Sequence, residues 1–440
     1  MLDVKNKKIT VMGLGLLGRG IGDVKFLAKK GADLTVTDLK TKKLLTEALK
    51  QIKGLKLKLV LGKHRKQDFA NKDYILKAAG VPLNSAYIKF AQKNKIPIKM
   101  DDSWFAELSS SKIVGITGTR GKTTTSHLIN KLLKQSKYKV FLAGNIMGQA
   151  TLPLIDKVKK DDLVVLELSS WQLQGWAEAK LSPHIAVITN IYRDHLNYYG
   201  SMGRYVADKQ AIYKYQTNSD YLILNKNNSY SKKFAKEAKS KIIWYSNKDV
   251  PKTWQLKISG EHNMDNIAAA IKVAQILKIP KTKIRKAVES FKGVEGRQYL
   301  VRDYKNIKYI NDTTGTTPEA AIAAINTYYS DSQGGIVLLA GGSDKKLEYK
   351  NFAKVIKQKV KAVILFEGAA THKLSQELKK INYNKTIVFV DSMPEAFKQA
   401  KYILTKGDIF ILSPAAASFG LFINEFDRGD QFNKQVKKIK

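Results

Sequence analysis

Lys112-Ile113-Val114-Gly115-Ile116-Thr117-Gly118-Thr119-Arg120-Gly121-Lys122-Thr123-Thr124 is the stretch from which the rest of the chain can be read. A β-branched run passes into a Gly-rich turn, and a Lys-Thr pair then opens a helical pattern. Strand, turn and helix in that order make a P-loop. Its backbone N–H groups cradle phosphates, Lys122 neutralises β/γ oxygens, and Thr123 can ligate Mg²⁺. The spacing departs from the usual G-x4-G-K-[ST], because residue 116 is Ile and Gly118 stands only three before Gly121. Gly118, Thr119, Arg120, Gly121, Lys122, Thr123 and Thr124 are therefore the expected ATP cradle.

Outward from this loop, short β-branched runs alternate with amphipathic stretches, as in doubly wound α/β folds with mostly parallel sheets. Before it, Ile9–Met12, Asp33–Thr37 and Asp73–Lys77 read as strands, with helical patterns at Gly20–Lys30 and Ala86–Asn94. After it come strand candidates Asp162–Leu168, His184–Asn190 and Tyr221–Leu224. The rhythm restarts beyond Arg297, with Lys308–Ile310, Gly335–Ala340, Ala362–Phe366, Thr386–Val390 and Asp408–Leu412, and helices at Glu319–Ile325 and Pro394–Leu404. Three α/β domains are expected, 1–105, 106–296 and 297–440: a Rossmann-like first domain, a central P-loop domain and a Rossmann-like last domain. A length of 440 residues agrees with that number. Ligands of open α/β sheets sit at the carboxyl ends of strands, so the chemistry belongs in those loops.

The first such loop is Gly13-Leu14-Gly15-Leu16-Leu17-Gly18, with Asp38 ending the next strand. Glycines here admit a pyrophosphate to a helix N-terminus, and the acid can reach a ribose hydroxyl. Alone, this motif reads as a nicotinamide dehydrogenase or as a tight turn without a ligand.

Composition narrows the class. The chain is 44% hydrophobic and 26% charged, ordinary for a globular protein and incompatible with wholesale disorder. No apolar run reaches the ~18 residues of a membrane span, no secretory signal opens the chain, and cysteine is absent. A cytoplasmic location is expected, and thiolate chemistry is excluded. Lys and Arg total 77 against 38 acids, a net charge of +39, yet only nine of those cations are Arg. Specific nucleic-acid binders favour Arg and patches, whereas these lysines are scattered. Solvated faces or steering of anionic substrates explain the charge better, and no nucleic-acid partner is expected.

Further motifs follow the P-loop in order: Gly144-Asn145, Leu166-Glu167-Leu168-Ser169-Ser170-Trp171-Gln172-Leu173, Asn190 with Asp194-His195, and Lys209. Then come Gly260-Glu261-His262-Asn263 with Asn266, Arg297, Asn311-Asp312, Gly341-Gly342 with Asp344-Lys345, and Leu412–Ser418. With the G-T-x-G-K-[ST] form at Gly118–Thr123, this series resembles the Mur ligase family over essentially the whole chain. The resemblance implies an ATP-dependent, ADP-forming amide ligase of peptidoglycan precursor synthesis, with Mg²⁺ as cofactor and an acyl-phosphate intermediate. Its expected substrates are UDP-N-acetylmuramoyl-L-alanine and D-glutamate, and a monomer is expected.

By the same resemblance Thr123, Glu167, His195 and Lys209 hold metal, Lys209 as a carbamate formed with CO₂. Lys122, His195, Lys209 and Glu167 are then the catalytic set. Asn263 and Asn266, one helical turn apart, lie near adenine, and Arg297 and Asp312 complete the nucleotide site. Leu16, Leu17, Asp38, Gly80, Asn145 and His195 correspond to UDP-sugar positions, and Thr316, Lys345, Ser418 and Phe419 to the incoming amino acid. Two departures fall in that last pocket. Thr314 stands where the family carries a Lys, and Gly420 where an acid is common. Relatives adding L-Ala, L-Lys or diaminopimelate share the ATP machinery, so another amino acid stays open, as do the dehydrogenase and a Lys-rich nucleic-acid-binding ATPase. The Gly-Leu-Gly start and compact first domain favour D-glutamate.

Overall fold

The β-branched runs assemble into three sheets in a computed structural model that describes residues 2–16 and 18–439. Leu17, expected at the UDP-sugar, lies outside the described residues. The first sheet holds β1 (Lys8–Met12), β2 (Asp33–Asp38), β3 (Lys58–Leu61), β4 (Tyr74–Lys77) and β5 (Ile98–Lys99) in the order β3-β2-β1-β4-β5, all parallel. The strand order reverses between β1 and β4, which opens a crevice where the Gly-rich loop leaves β1.

The second sheet holds β6 (Lys112–Thr117), β7 (Val140–Gly144), β8 (Leu163–Glu167), β9 (Ile185–Ile188), β10 (Tyr221–Asn225) and β11 (Lys241–Tyr245). Its order is β11-β10-β9-β6-β8-β7, again all parallel. Val114 and Ile116 of β6, Val164–Leu166 of β8 and Ile185–Ile188 of β9 are buried, as a sheet covered on both faces requires. The carboxyl ends of β6, β8 and β9 thus meet at the centre of one edge.

The third sheet takes β12 (Tyr299–Tyr304), β13 (Ile307–Asn311), β14 (Gly335–Gly341), β15 (Val360–Phe366), β16 (Thr386–Val390) and β17 (Asp408–Leu412), in the order β12-β13-β17-β14-β15-β16. Only β12 is antiparallel. The sheets form two compact units. One reaches to Gln255 and takes in Glu261–Glu289, with the first two sheets; the other takes Leu256–Gly260 and everything from Ser290 on, with the third.

Two details differ from expectation. Strands β3, β5, β7, β11 and β12 had no sequence candidate, and every one is a sheet edge. The helix expected at Glu319–Ile325 runs Pro318–Tyr329, because Pro318 fits the first turn and the Thr317 side chain accepts from Ala320 N. No helix of the described residues is long and apolar enough to cross a membrane.

Candidate active site

The P-loop forms because two glycines take backbone conformations that other residues resist. Gly118 has φ 149°, and a Cβ there would collide with Thr189 Oγ1; Gly121 has φ 81°, and its Cβ would meet Asn266 Oδ1. The loop is tied to the end of β9. Thr119 N donates to Asn190 O at 2.8 Å, Arg120 N to Asn190 Oδ1 at 2.8 Å, and Thr189 Oγ1 to Arg120 O at 2.6 Å. The helix Lys122–Leu133 follows, its N-terminus without a side-chain cap. Its dipole and first N–H groups suit an anion. Lys122 Nζ donates to Gly118 O (3.0 Å) and Thr119 O (3.2 Å), which curls it over the cradle. Thr123 and Thr124 are half-buried in the first turn.

Glu167 ends β8 one strand away and is 1% exposed. Oε1 accepts from Asn145 Nδ2 at 3.0 Å, while Oε2 is buried without a hydrogen-bond partner. Asn145 therefore orients Glu167 in addition to any substrate contact. Lys209, on the helix Met202–Lys214, is 1% exposed rather than on the solvent face where most lysines sit. Its Nζ donates to Gly118 O at 3.0 Å and Thr117 Oγ1 at 3.3 Å and lies 4.9 Å over the Tyr205 ring. Burial and then Lys122 hold its pKa well below the usual lysine range.

His195 has a left-handed backbone (φ 53°) and caps the short helix Leu196–Tyr199. Its ring packs against Trp171 at 5.0 Å and Tyr205 at 6.1 Å, and Nε2 lies 3.8 Å from Asp194 Oδ2. Burial lowers its pKa; Asp194 opposes the shift, and Lys122, Lys209 and Arg120 reinforce it. A neutral imidazole with a lone pair results. Asn263 (9% exposed) and Asn266 (4%) share a face of the helix Glu261–Ile276, and Asn266 Nδ2 donates to Asn263 Oδ1 at 3.2 Å. Asn266 Oδ1 accepts from Thr125 Oγ1 at 3.2 Å, which joins this face to the P-loop helix.

Tyr205 was not anticipated. It is 1% exposed, its hydroxyl lies 3.0 Å from Thr119 Oγ1, and its ring meets both Lys209 and His195. Its i, i+4 spacing to Lys209 was the available signal. Among the described residues no group of three or more His, Cys, Asp or Glu side chains is disposed to hold a metal. The set Thr123, Glu167, His195 and Lys209 has one orphaned carboxylate oxygen, one imidazole and one hydroxyl. It fits a hard divalent cation once Lys209 carries a carboxylate in place of its amine.

In the first sheet, Gly13 has φ 96° and a Cβ there would sit 2.9 Å from Ala78 Cβ, and Gly15 N donates to Asp38 Oδ2 at 3.0 Å. Asp38 also accepts from Lys40 N at 2.8 Å. Its 3%-exposed carboxylate thus shapes the loop as well as facing any ribose. Leu16 and Gly80 are exposed on neighbouring loops.

The third sheet collects its own cluster at the carboxyl ends of β13, β14 and β17. Asp312 (6% exposed) accepts from Ser413 Oγ at 2.7 Å and Gln298 N at 3.2 Å. Burial pushes its pKa up to about 7 against the pull of Arg297 and Arg428. Lys345 Nζ donates to Thr316 Oγ1 at 2.9 Å, so these two are together. Ser418 is buried, whereas Phe419 is 62% exposed and its carbonyl accepts from Ser343 Oγ. Arg297 is exposed on the turn before β12.

Three family models match the chain in order. The Mur ligase MurD-like N-terminal domain aligns with residues 7–99, the Mur ligase middle domain with 116–257, and the Mur ligase glutamate ligase domain with 296–416. The UDP-N-acetylmuramoylalanine–D-glutamate ligase of Roseiflexus sp. is 37% identical, with 100% of both chains covered. That of Acetivibrio thermocellus is 34% identical over 99% of this chain and 97% of its own. Among solved structures, UDP-N-acetylmuramate–alanine ligase MurC from Thermotoga maritima superposes with TM-score 0.64 at 20% identity, covering 99% of this chain and 100% of its own. MurF ligase from the same organism, in complex with ADP, gives 0.60 at 20% identity, covering 99% and 96%. A shared three-sheet fold, three domain models in order and full-length identity above 30% lead to one conclusion: the chain belongs to the Mur ligase family.

Proposed function

We propose that this chain joins D-glutamate to UDP-N-acetylmuramoyl-L-alanine, with ATP converted to ADP and phosphate. The observation that carries the reading is the convergence of Lys122, Lys209, Glu167 and His195 on one P-loop, supported by full-length relatives bearing that name. A free carboxylate acylates nothing at useful rates, so it must first be activated. Its oxygen attacks the γ-phosphorus, the bond to the β–γ bridging oxygen breaks, and ADP leaves. The amine of D-glutamate then attacks the acyl carbon of the acyl phosphate; the amide forms, phosphate departs and the amine proton is released.

In this scheme the cradle of Gly118–Thr124 binds the phosphates, and Lys122 moves from the Gly118 and Thr119 carbonyls to the β/γ oxygens. Thr123, Glu167, His195 and a carbamylated Lys209 would hold Mg²⁺, which when bound neutralises charge developing on the transferred phosphoryl. Asn145 keeps Glu167 oriented, and Tyr205 keeps Lys209 and the loop in register. Asn263, Asn266, Arg297 and Asp312 serve the nucleotide, Leu16, Leu17, Asp38 and Gly80 the UDP-sugar. Thr316, Lys345, Ser418 and Phe419 receive D-glutamate, Lys345 by a charge-assisted bond to a carboxylate. Residues 1–105, 106–296 and 297–440 divide these tasks, in a cytoplasmic monomer.

Phosphate release with ATP, Mg²⁺ and UDP-N-acetylmuramoyl-L-alanine tests the reading, with D-glutamate, L-alanine, L-lysine and diaminopimelate compared. Turnover with D-glutamate alone is expected. Turnover with another amino acid instead, or with none, refutes it.

A further inference from the structure

Arg428 is 0% exposed, one of the largest fully buried side chains of the protein. Among the described residues no acidic side chain is within salt-bridge distance of it; burial lowers its pKa to about 10, and the charges of Glu425 and Asp312 oppose that shift from farther off. Its guanidinium is committed to two loops instead. Nε donates to Thr313 Oγ1 at 3.1 Å, Nη2 to Thr313 O at 2.9 Å, and Nη1 to Ala416 O at 3.4 Å. Thr313 follows Asp312 and leads to Thr316; Ala416 leads to Ser418 and Phe419.

The surroundings reinforce the same join. Thr313 Oγ1 donates to Glu425 O at 2.6 Å, and Asn311 Nδ2 donates to Gly429 O at 3.1 Å and to Asn433 Oδ1 at 2.9 Å. Gly429 lies so close to Thr313 that an added Cβ would sit 2.6 Å from Thr313 Cγ2. The helix Glu425–Lys438 is thereby pressed onto the back of the loop after β13. A planar fork reaching three acceptors on two segments is a task for Arg and not for Lys. In a chain whose cations are 68 Lys and nine Arg, that choice is informative.

We infer that Arg428 is a positioning residue for the amino-acid pocket: its buried guanidinium sets the spacing between the loop carrying Thr316 and the loop carrying Ser418 and Phe419. The inference rests on the proposed function for the identity of the amino acid, not for the geometry. Thr314, beside Thr313 on the same loop, donates from Oγ1 to Gly296 O at 3.0 Å.

Arg428→Lys keeps the charge but cannot span three acceptors; Arg428→Ala removes both. Melting temperatures of both variants are measured first, then KM for ATP, for UDP-N-acetylmuramoyl-L-alanine and for the amino acid the parent enzyme uses. A folded Arg428→Lys protein should show amino-acid KM raised about ten-fold or more, with the other two KM values changed less than about two-fold. Added guanidinium ion should restore part of the Arg428→Ala loss. Equal changes in all three KM values, or a Lys variant indistinguishable from the parent, overturn the inference. If the parent turns over with an amino acid other than D-glutamate, the function reading fails while the KM comparison still decides the role of Arg428.

Discussion

Lys209 shows how far one residue's surroundings can reverse its ordinary meaning. An ammonium buried beside a metal site would repel the metal, whereas a neutral amine can take up CO₂ and offer two oxygens. Its depressed pKa, caused by burial and by Lys122, favours the neutral form. Lys209→Arg, which brings a permanently charged guanidinium that does not carbamylate, should lose most turnover, and formate should restore part of the activity of Lys209→Ala. A Lys209→Arg enzyme that turns over like the parent ends the carbamate account. Asp312 gives a second residue-scale expectation. Burial raises its pKa to about 7, so the folded protein keeps its proton while the unfolded chain has lost it above about pH 4. The fold binds more protons in that window, and stability from this group falls as pH rises from about 4 to about 7, then levels off. Melting temperature followed over that range should decline less in Asp312→Asn; parallel profiles would remove the buried proton from the explanation.

Elements decide which glycines matter. Gly121 and Gly15 both have positive φ, 81° and 70°, so a side chain at either adopts a left-handed backbone at a cost of roughly 1 kcal/mol. They differ in space: a Cβ on Gly121 strikes the Asn266 side chain, whereas one on Gly15 meets nothing within 4 Å. Gly121→Ala should therefore destabilise more and raise KM for ATP, because Asn266 and the P-loop helix must separate. Gly15→Ala should show only the backbone cost. Thermal unfolding of the two variants makes the comparison, and equal losses would deny the Asn266 contact its role. The same scale explains the unanticipated strands. Lys58-Leu59-Val60-Leu61 is four residues long and opens on a charge, Tyr299–Tyr304 carries Arg302 and Asp303 side by side, and Ile98–Lys99 is two residues long. Edge strands carry such patterns because one side lacks a partner and charge there discourages aggregation.

At the scale of the molecule, a net charge of +39 acts on both stability and substrates. Like charges repel within the fold, and under the proposed function the field draws in ATP and the UDP-sugar, both anionic. Raising ionic strength from about 0.01 M to about 0.15 M shortens the screening length from about 30 Å to about 8 Å. Melting temperature should rise over that interval, and KM for both nucleotides should rise with it. A KM independent of salt would show that the lysines merely coat the surface.

The chain's local order carried a good deal on its own. Strand–turn–helix at Lys112–Thr124, the Gly-rich loop after β1 and the central strands of each sheet were legible, because backbone freedom and hydrophobic pattern act over a few residues. Asp38, Glu167 and Asp312 were legible as acids at strand ends, as far as their positions go. Tertiary structure alone decided what those acids face: Asp38 the Gly15 amide, Glu167 the Asn145 amide with one oxygen orphaned, Asp312 the Ser413 hydroxyl. It also separated Lys209 and Arg428 from the other cations, since burial comes from segments remote in sequence. Thr117 and Gly118 lie about ninety residues from Lys209, and Thr313 more than a hundred from Arg428. No local pattern records such distances; packing at the edge of the second sheet brings Lys209 to the P-loop, packing at the edge of the third brings Arg428 to Thr313, and the low-dielectric surroundings thus created set their chemistry.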